Sequence, residues 1–206
     1  MYTTIIFDAD GVLLDSLWVW EKLTREYLLS QGVTPPADIQ QTLALLSYEE
    51  GCFYLIEHFH LSDDVERMQQ WYNKTLMHWY QTKIQAMVGT EEVLKHLKAK
   101  GIRMYVASAS DALWLKPCLE KLHLLPYFDD VKTEQEMGIP KRESEFYQAV
   151  GKFWSVPSNQ TLVVEDAPHA VESSVQAGFT TVHVGTEIMS QSQYNIKSLK
   201  ELEQIV

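Results

Sequence analysis

Cysteine is scarce in this chain: Cys52 and Cys118 are the only two in 206 residues, far apart and without the spacing of metal ligands. Their scarcity argues against a disulfide framework or a zinc site and makes a reducing cytoplasm the expected setting. Long apolar runs are missing too. No stretch approaches the roughly 18 residues that a membrane span requires, so no membrane partner is expected. The first apolar run has no basic stretch ahead of it and is broken early by Asp8 and Asp10, which is not the pattern of a signal peptide. Cations are in deficit, with 17 Lys and Arg against 28 Asp and Glu and a net charge of −11. With a pI near 5.0, a nucleic acid polymer is a poor partner. A phosphate ligand would need a local cation to offset that field. Internal repeats and low-complexity segments are also missing.

What is present describes a soluble globular protein, with 46% apolar and 22% charged residues. The length is large for one compact domain and small for two independent ones, and suits a core domain carrying a smaller insertion. Thr3–Phe7 (TTIIF) reads as a buried strand. Helical patterns then follow without interruption over residues 16 to 83. One helix runs from Asp15/Ser16 to about Gln31, another follows Pro35-Pro36 through Leu43, and a capping box at Ser47–Glu50 opens a third reaching about Phe59. A longer helix begins at Ser62-Asp63-Asp64 and ends near Gln81.

Beyond residue 83 the pattern changes to alternation. Helices are expected at Thr90–Lys100, Asp111–Leu122, Ser144–Trp154, Ala167–Ala177 and Ser198–Gln204. Strands are expected at Ile102–Ser108, Tyr127–Val131, Thr161–Glu165 and Thr180–Val184. Alternating strands and helices indicate an α/β fold, a doubly wound, Rossmann-like parallel sheet covered on both faces. Residues 1–15 and 84–206 would form this core, and 16–83 an inserted helical cap.

Open parallel sheets bind ligands at the carboxyl ends of their strands, and the polar residues cluster there. The first strand ends in Asp8-Ala9-Asp10, the second in Ser108-Ala109-Ser110, and the fourth in Glu165-Asp166, while the loop after the third holds Lys141. Two carboxylates as close as Asp8 and Asp10 repel each other unless something pairs with them. Phosphoryl transfer through an aspartyl phosphate wants such a set. The nucleophilic carboxylate and the phosphate must both be neutralised before they meet, which magnesium does with hard oxygen ligands. A hydroxyl and an ammonium then hold the remaining phosphate oxygens, and a second carboxyl handles the leaving-group and water protons.

These segments resemble the haloacid dehalogenase-like hydrolases, in the subgroup with a helical cap inserted after the first strand. FDADGVLLDS resembles the motif DxDxV/T, which implies Asp8 as nucleophile and Asp10 as acid/base. VASAS resembles the second motif and implies that Ser108 binds phosphate with help from the Ala109 amide. VVEDAPHAVESSVQAG resembles VFEDSxxGVxAAxxAG. It implies Asp166, with Glu165, at a magnesium ion, alongside an Asp8 carboxylate oxygen and the Asp10 carbonyl. The third motif departs from the family's GKPxPxxF: here the segment is Gly138-Ile139-Pro140-Lys141-Arg142-Glu143-Ser144-Glu145-Phe146. Lys141 takes the role of phosphate-binding cation, with Arg142 as its competitor.

Asp10 separates the chain from haloacid dehalogenases proper and from phosphonoacetaldehyde hydrolases, which lack an aspartate at that place. β-Phosphoglucomutases keep it, but their caps place a histidine where this chain has Trp20 and an arginine where Tyr48 follows Ser47. The resemblance therefore implies a magnesium-dependent phosphatase acting on a small phosphorylated metabolite, a sugar phosphate or nucleotide, as a monomer. The alternative is a β-phosphoglucomutase-like phosphotransferase. A non-catalytic phospho-ligand-binding protein on the same scaffold, or a receiver-like signalling module, is less consistent with the full set of groups and the inserted helices. The cap is expected to set substrate choice by excluding water. Trp18 and Trp20 are candidates to face substrate, whereas Trp71 and Trp79 fall on an apolar helical stripe with Val65, Met68, Tyr72 and Leu76.

Overall fold

The TIIF segment forms the strand its β-branched residues suggest: Thr4–Phe7 (β1) is buried at all four positions. In the computed structural model, which describes residues 2–43, 46 and 48–206, the chain divides into two compact units. One comprises Met1–Ser16 with Ile84–Val206 and the other Leu17–Lys83. After β1 and the short Leu14–Asp15 (β2) come the helices Trp18–Ser30 (α1), Ile39–Leu43 (α2), Tyr48–Phe59 (α3) and Val65–Thr82 (α4). Alternation follows, through Gln85–Ala86 (β3), Thr90–Ala99 (α5), Arg103–Ser108 (β4), Ala112–Lys121 (α6), Asp130–Thr133 (β5), Glu134–Met137 (α7) and Ser144–Phe153 (α8). Thr161–Glu165 (β6), Pro168–Gln176 (α9), Thr180–Val184 (β7) and Tyr194–Ile196 (β8) complete it. No described helix is long and apolar enough to cross a membrane.

Among the described residues the main sheet runs β5-β4-β1-β6-β7-β8, with every pairing parallel. It is an α/β, doubly wound sheet flanked by helices. Side chains alternate faces along a strand, and here that alternation positions the chemistry. Ile6, Tyr105, Ala107 and Val163 lie in one buried cluster with Phe146, Tyr147 and Val150 of α8. Two residues beyond Ile6 and Val163 along their strands come Asp8 and Glu165, which the same periodicity aims toward α8.

Three strand and helix expectations need correction. The strand expected over Tyr127–Val131 begins later, at Asp130, because Leu125–Tyr127 forms a 3-10 turn started by Pro126. The Asp15/Ser16 helix start moves to Trp18, since Leu14–Asp15 instead pairs antiparallel with Gln85–Ala86. The C-terminal helix is a 3-10 segment, Leu199–Gln204, opened by a capping box from Ser198 to Glu201. The pattern also passes over α7 and β8, both too short to show a period. The capping box assigned to Ser47–Glu50 rests on Ser47, which lies outside the described residues.

In the helical unit, α4 buries Met68, Tyr72, Leu76, Trp79 and Tyr80 along one stripe. Burying a side chain of this size contributes about 1.5–3 kcal/mol each. The Asp64 carboxylate caps the helix by accepting the Arg67 N–H at 2.8 Å. Tyr27 of α1 packs its ring 5.3 Å from that of Trp71 and 5.5 Å from that of Tyr72, and donates its hydroxyl to Asp63 at 2.9 Å. Trp18 lies 5.5 Å from Trp79, while Trp20 is exposed.

Candidate active site

At the carboxyl edge of the sheet the strand register brings the acids together. Phe7 pairs with Val164 across β1 and β6, so the next residues, Asp8 and Glu165, lie side by side. The Asp8 N–H is held by the Val164 carbonyl at 2.9 Å. The chain then doubles back: the Ala9 carbonyl accepts the N–H groups of Leu13 and Leu14 at 2.9 and 2.8 Å. Gly11 takes φ = 79° at this reversal, a left-handed conformation that a side chain disfavours. The turn leaves Asp10 between two hydroxyls. Ser16 donates to one of its carboxylate oxygens at 2.5 Å and Ser110 to the other at 2.6 Å.

Lys141 reaches the same place from the loop before α8. The residue is 3% exposed, and its ammonium donates to Asp8 and lies 2.6 Å from Glu165 Oε1. Its backbone is fixed on both sides: Glu134 of α7 accepts the Lys141 N–H at 2.8 Å, and Ser173 of α9 donates to its carbonyl at 2.8 Å. Arg142, one residue on, is exposed. Glu165, 1% exposed, also accepts the Tyr147 hydroxyl at Oε1. Asp166 is partly buried, and its carbonyl meets the His183 ring at 3.2 Å.

The structure therefore brings Asp8, Lys141, Glu165 and Asp166 together, with the Asp10 carboxylate fastened beside them through Ser110. Ser108 is buried one strand over, its hydroxyl oxygen accepting the Ser110 N–H at 3.0 Å. Ala109 is exposed between the two serines. Sequence reasoning missed Tyr147 and Glu134 and gave no role to Ser16, Ser110 or Ser173. Ser16, Ser110 and Ser173 carried a signal, each lying within a motif segment: FDADGVLLDS, VASAS and VVEDAPHAVESSVQAG.

The electrostatics are those of an acid cluster short of positive charge. Burial raises the Asp8 carboxyl to about 8, helped by Glu165 and Asp10 and opposed by Lys141. Burial and Asp8 raise Asp166 to about 7, and burial raises Glu165 as well. Burial alone would lower Lys141, but Asp8 and Glu165 carry it above its ordinary value. Tyr147 is likewise held well above the usual phenol range by burial and by Glu165.

The residues fit a divalent cation. Asp8, Glu165 and Asp166 each offer a carboxylate oxygen, all within 4.8 Å of one another. When all three are ionised, these carboxylates exceed the ammonium of Lys141, the one beside them among the described residues, by two negative charges, which a divalent ion would offset. Glu165 Oε2 is buried with no hydrogen-bond partner among the described residues, a costly state for an ionised oxygen unless a cation takes it. Hard oxygen donors of this kind suit magnesium.

The model of the haloacid dehalogenase-like hydrolases matches residues 5–184. The chain belongs to that family. Among the hydrolase's relatives is a phosphorylated carbohydrates phosphatase of Thermotoga maritima, 24% identical over 87% of this chain and 83% of the relative. Another, named probable pseudouridine-5'-phosphatase, from Drosophila melanogaster, is 28% identical over 93% of this chain and 85% of its own. The solved structure of CbbY from Rhodobacter sphaeroides in complex with phosphate shares the hydrolase's fold. It has a TM-score of 0.81 and 16% identity over 98% of this chain and 96% of that one.

Proposed function

We propose that this hydrolase is a magnesium-dependent phosphatase that cleaves a small phosphomonoester through an aspartyl phosphate on Asp8. The carrying observation is the buried trio Asp8, Glu165 and Asp166, which has one ammonium among its three carboxylates and an unpartnered oxygen on Glu165. In this reading the α/β unit carries the catalytic groups and the helical unit is the cap. Asp8, Glu165 and Asp166 would hold magnesium through carboxylate oxygens and Asp10 through its carbonyl. Bound there, the ion would offset the charge of nucleophile and phosphate.

The remaining chemistry falls to the chain's own residues. An Asp8 oxygen attacks phosphorus as the bond to the ester oxygen breaks, and the Asp10 carboxyl donates a proton to the departing alcohol. The Asp10 carboxylate then takes a proton from the water that attacks the same phosphorus, which frees phosphate and restores Asp8. Ser16 and Ser110 hold Asp10 in place for both transfers. Lys141 already stands beside Asp8, where it would pair with a phosphate oxygen, while the Ser108 hydroxyl and the Ala109 amide would take others. An acid at position 10 supports ester cleavage over dehalogenation, because an alkoxide needs a proton to leave and a halide does not. The names of the relatives, a phosphorylated carbohydrates phosphatase and a probable pseudouridine-5'-phosphatase, support the sugar-phosphate and nucleotide class.

The test is a panel of sugar phosphates and nucleoside monophosphates, assayed with magnesium and with EDTA, on wild type and Asp8→Asn. Phosphate release is expected from a subset of the panel, only with magnesium and only from wild type. Full turnover by Asp8→Asn, or turnover untouched by EDTA, would overturn the reading.

A further inference from the structure

We propose that Tyr147 is a positioning residue for metal capture, fixing Glu165 so that its second carboxylate oxygen is presented to Asp8 and Asp166. The inference rests on the metal-dependent reading above and deepens it. Lys141 and Tyr147 both bond Oε1 of Glu165, and Oε2 is left buried and unpartnered. A glutamate side chain has a broad terminal torsion, so one contact alone would let the carboxylate turn. Two donors converging on one oxygen from different elements fix its plane.

The tyrosine is itself immobilised. It is fully buried, with its ring 5.3 Å from that of Phe146 and 6.4 Å from that of Phe179. Helix α8 presents it to the sheet face on which Val163 and Glu165 project. Groups that orient a metal ligand in this manner commonly change metal affinity by about 10–100-fold when removed.

Tyr147→Phe deletes one oxygen and keeps the ring. Binding of Mn²⁺ to the purified, substrate-free chain, followed by the electron paramagnetic resonance of the free ion, gives a readout independent of turnover. The dissociation constant is expected to rise about tenfold or more. In a Glu165→Gln background the same substitution should have less than about a twofold effect, because the carboxylate it positions is gone. A role confined to packing would lower the melting temperature in EDTA and leave Mn²⁺ affinity unchanged in either background. That result, or equal effects in both backgrounds, overturns the proposal. Asp166→Asn separates this failure from a deeper one. Loss of Mn²⁺ binding in Asp166→Asn with wild-type binding in Tyr147→Phe removes only the Tyr147 role. Absence of Mn²⁺ binding by wild type would overturn the metal-dependent reading and the inference with it.

Discussion

Lys141 shows how much one residue can decide. Among the described residues it is the single ammonium within reach of two buried carboxylates, Asp8 and Glu165, and the polar groups of Glu134 and Ser173 hold its backbone in place. Removing one member of a buried ion pair leaves the others desolvated and uncompensated, which typically costs about 3–5 kcal/mol. Lys141→Met is therefore expected to destabilise the metal-free protein by roughly that amount at about pH 9, where Asp8 is ionised. The loss should shrink as pH falls below about 7, where Asp8 and Asp166 take up protons. Urea denaturation at both ends of that range measures this, and an unchanged midpoint at about pH 9 would contradict the pairing.

At the scale of elements, α7 illustrates a small structure with a long reach. Thr133 ends β5 and closes a capping box with Glu136, which opens the four-residue helix carrying Glu134 to the Lys141 backbone. Thr133→Ala is expected to cost about 1 kcal/mol, read as a shift in the urea midpoint; a shift near zero would show that the cap carries no stability. Neither the cap nor the helix was legible beforehand, because four residues show no periodicity. The strands β1, β6 and β7 were legible, since each is a short apolar, β-branched run bounded by turn residues or charge. β5 slipped because the sequence does not reveal where the 3-10 turn containing Pro126 ends and pairing with β4 begins. The acids at strand ends were readable from position alone, since parallel sheets gather function at one edge. Their partners were not. Tyr147 stands outside the motif segments, Ser16 and Ser173 stand inside them with no role of their own to read, and only tertiary packing turns their hydroxyls toward Glu165, Asp10 and the Lys141 carbonyl.

For the whole molecule, the acid cluster couples folding to protons and to metal. Asp8 and Asp166, near 3.8 in a model chain, rise to about 8 and about 7 in the fold. The native state thus holds protons that the unfolded chain has released, so their contribution to stability falls as pH rises from about 4 to about 8. A divalent cation competes with those same protons. Magnesium should raise the melting temperature, with stabilisation of about 2.7 kcal/mol at a hundredfold excess over its dissociation constant. At a fixed subsaturating concentration the increase should be larger at about pH 8 than at about pH 6. Thermal melts with magnesium and with EDTA at both pH values measure this. An equal or larger shift at the lower pH would contradict the assignment of these carboxylates as the metal site.

The proposed phosphoryl group on Asp8 is covalent, and rapid acid quench tests for it most directly. Wild type mixed with magnesium and a substrate found by the panel is quenched within one turnover and digested, and the peptides are mapped by mass spectrometry. A phosphoryl group on Asp8 that appears and decays with turnover, and that never forms in Asp8→Asn, is the expected result. Rapid phosphate release with no phosphorylated peptide at any quench time, or with the phosphoryl group on another residue, would contradict it.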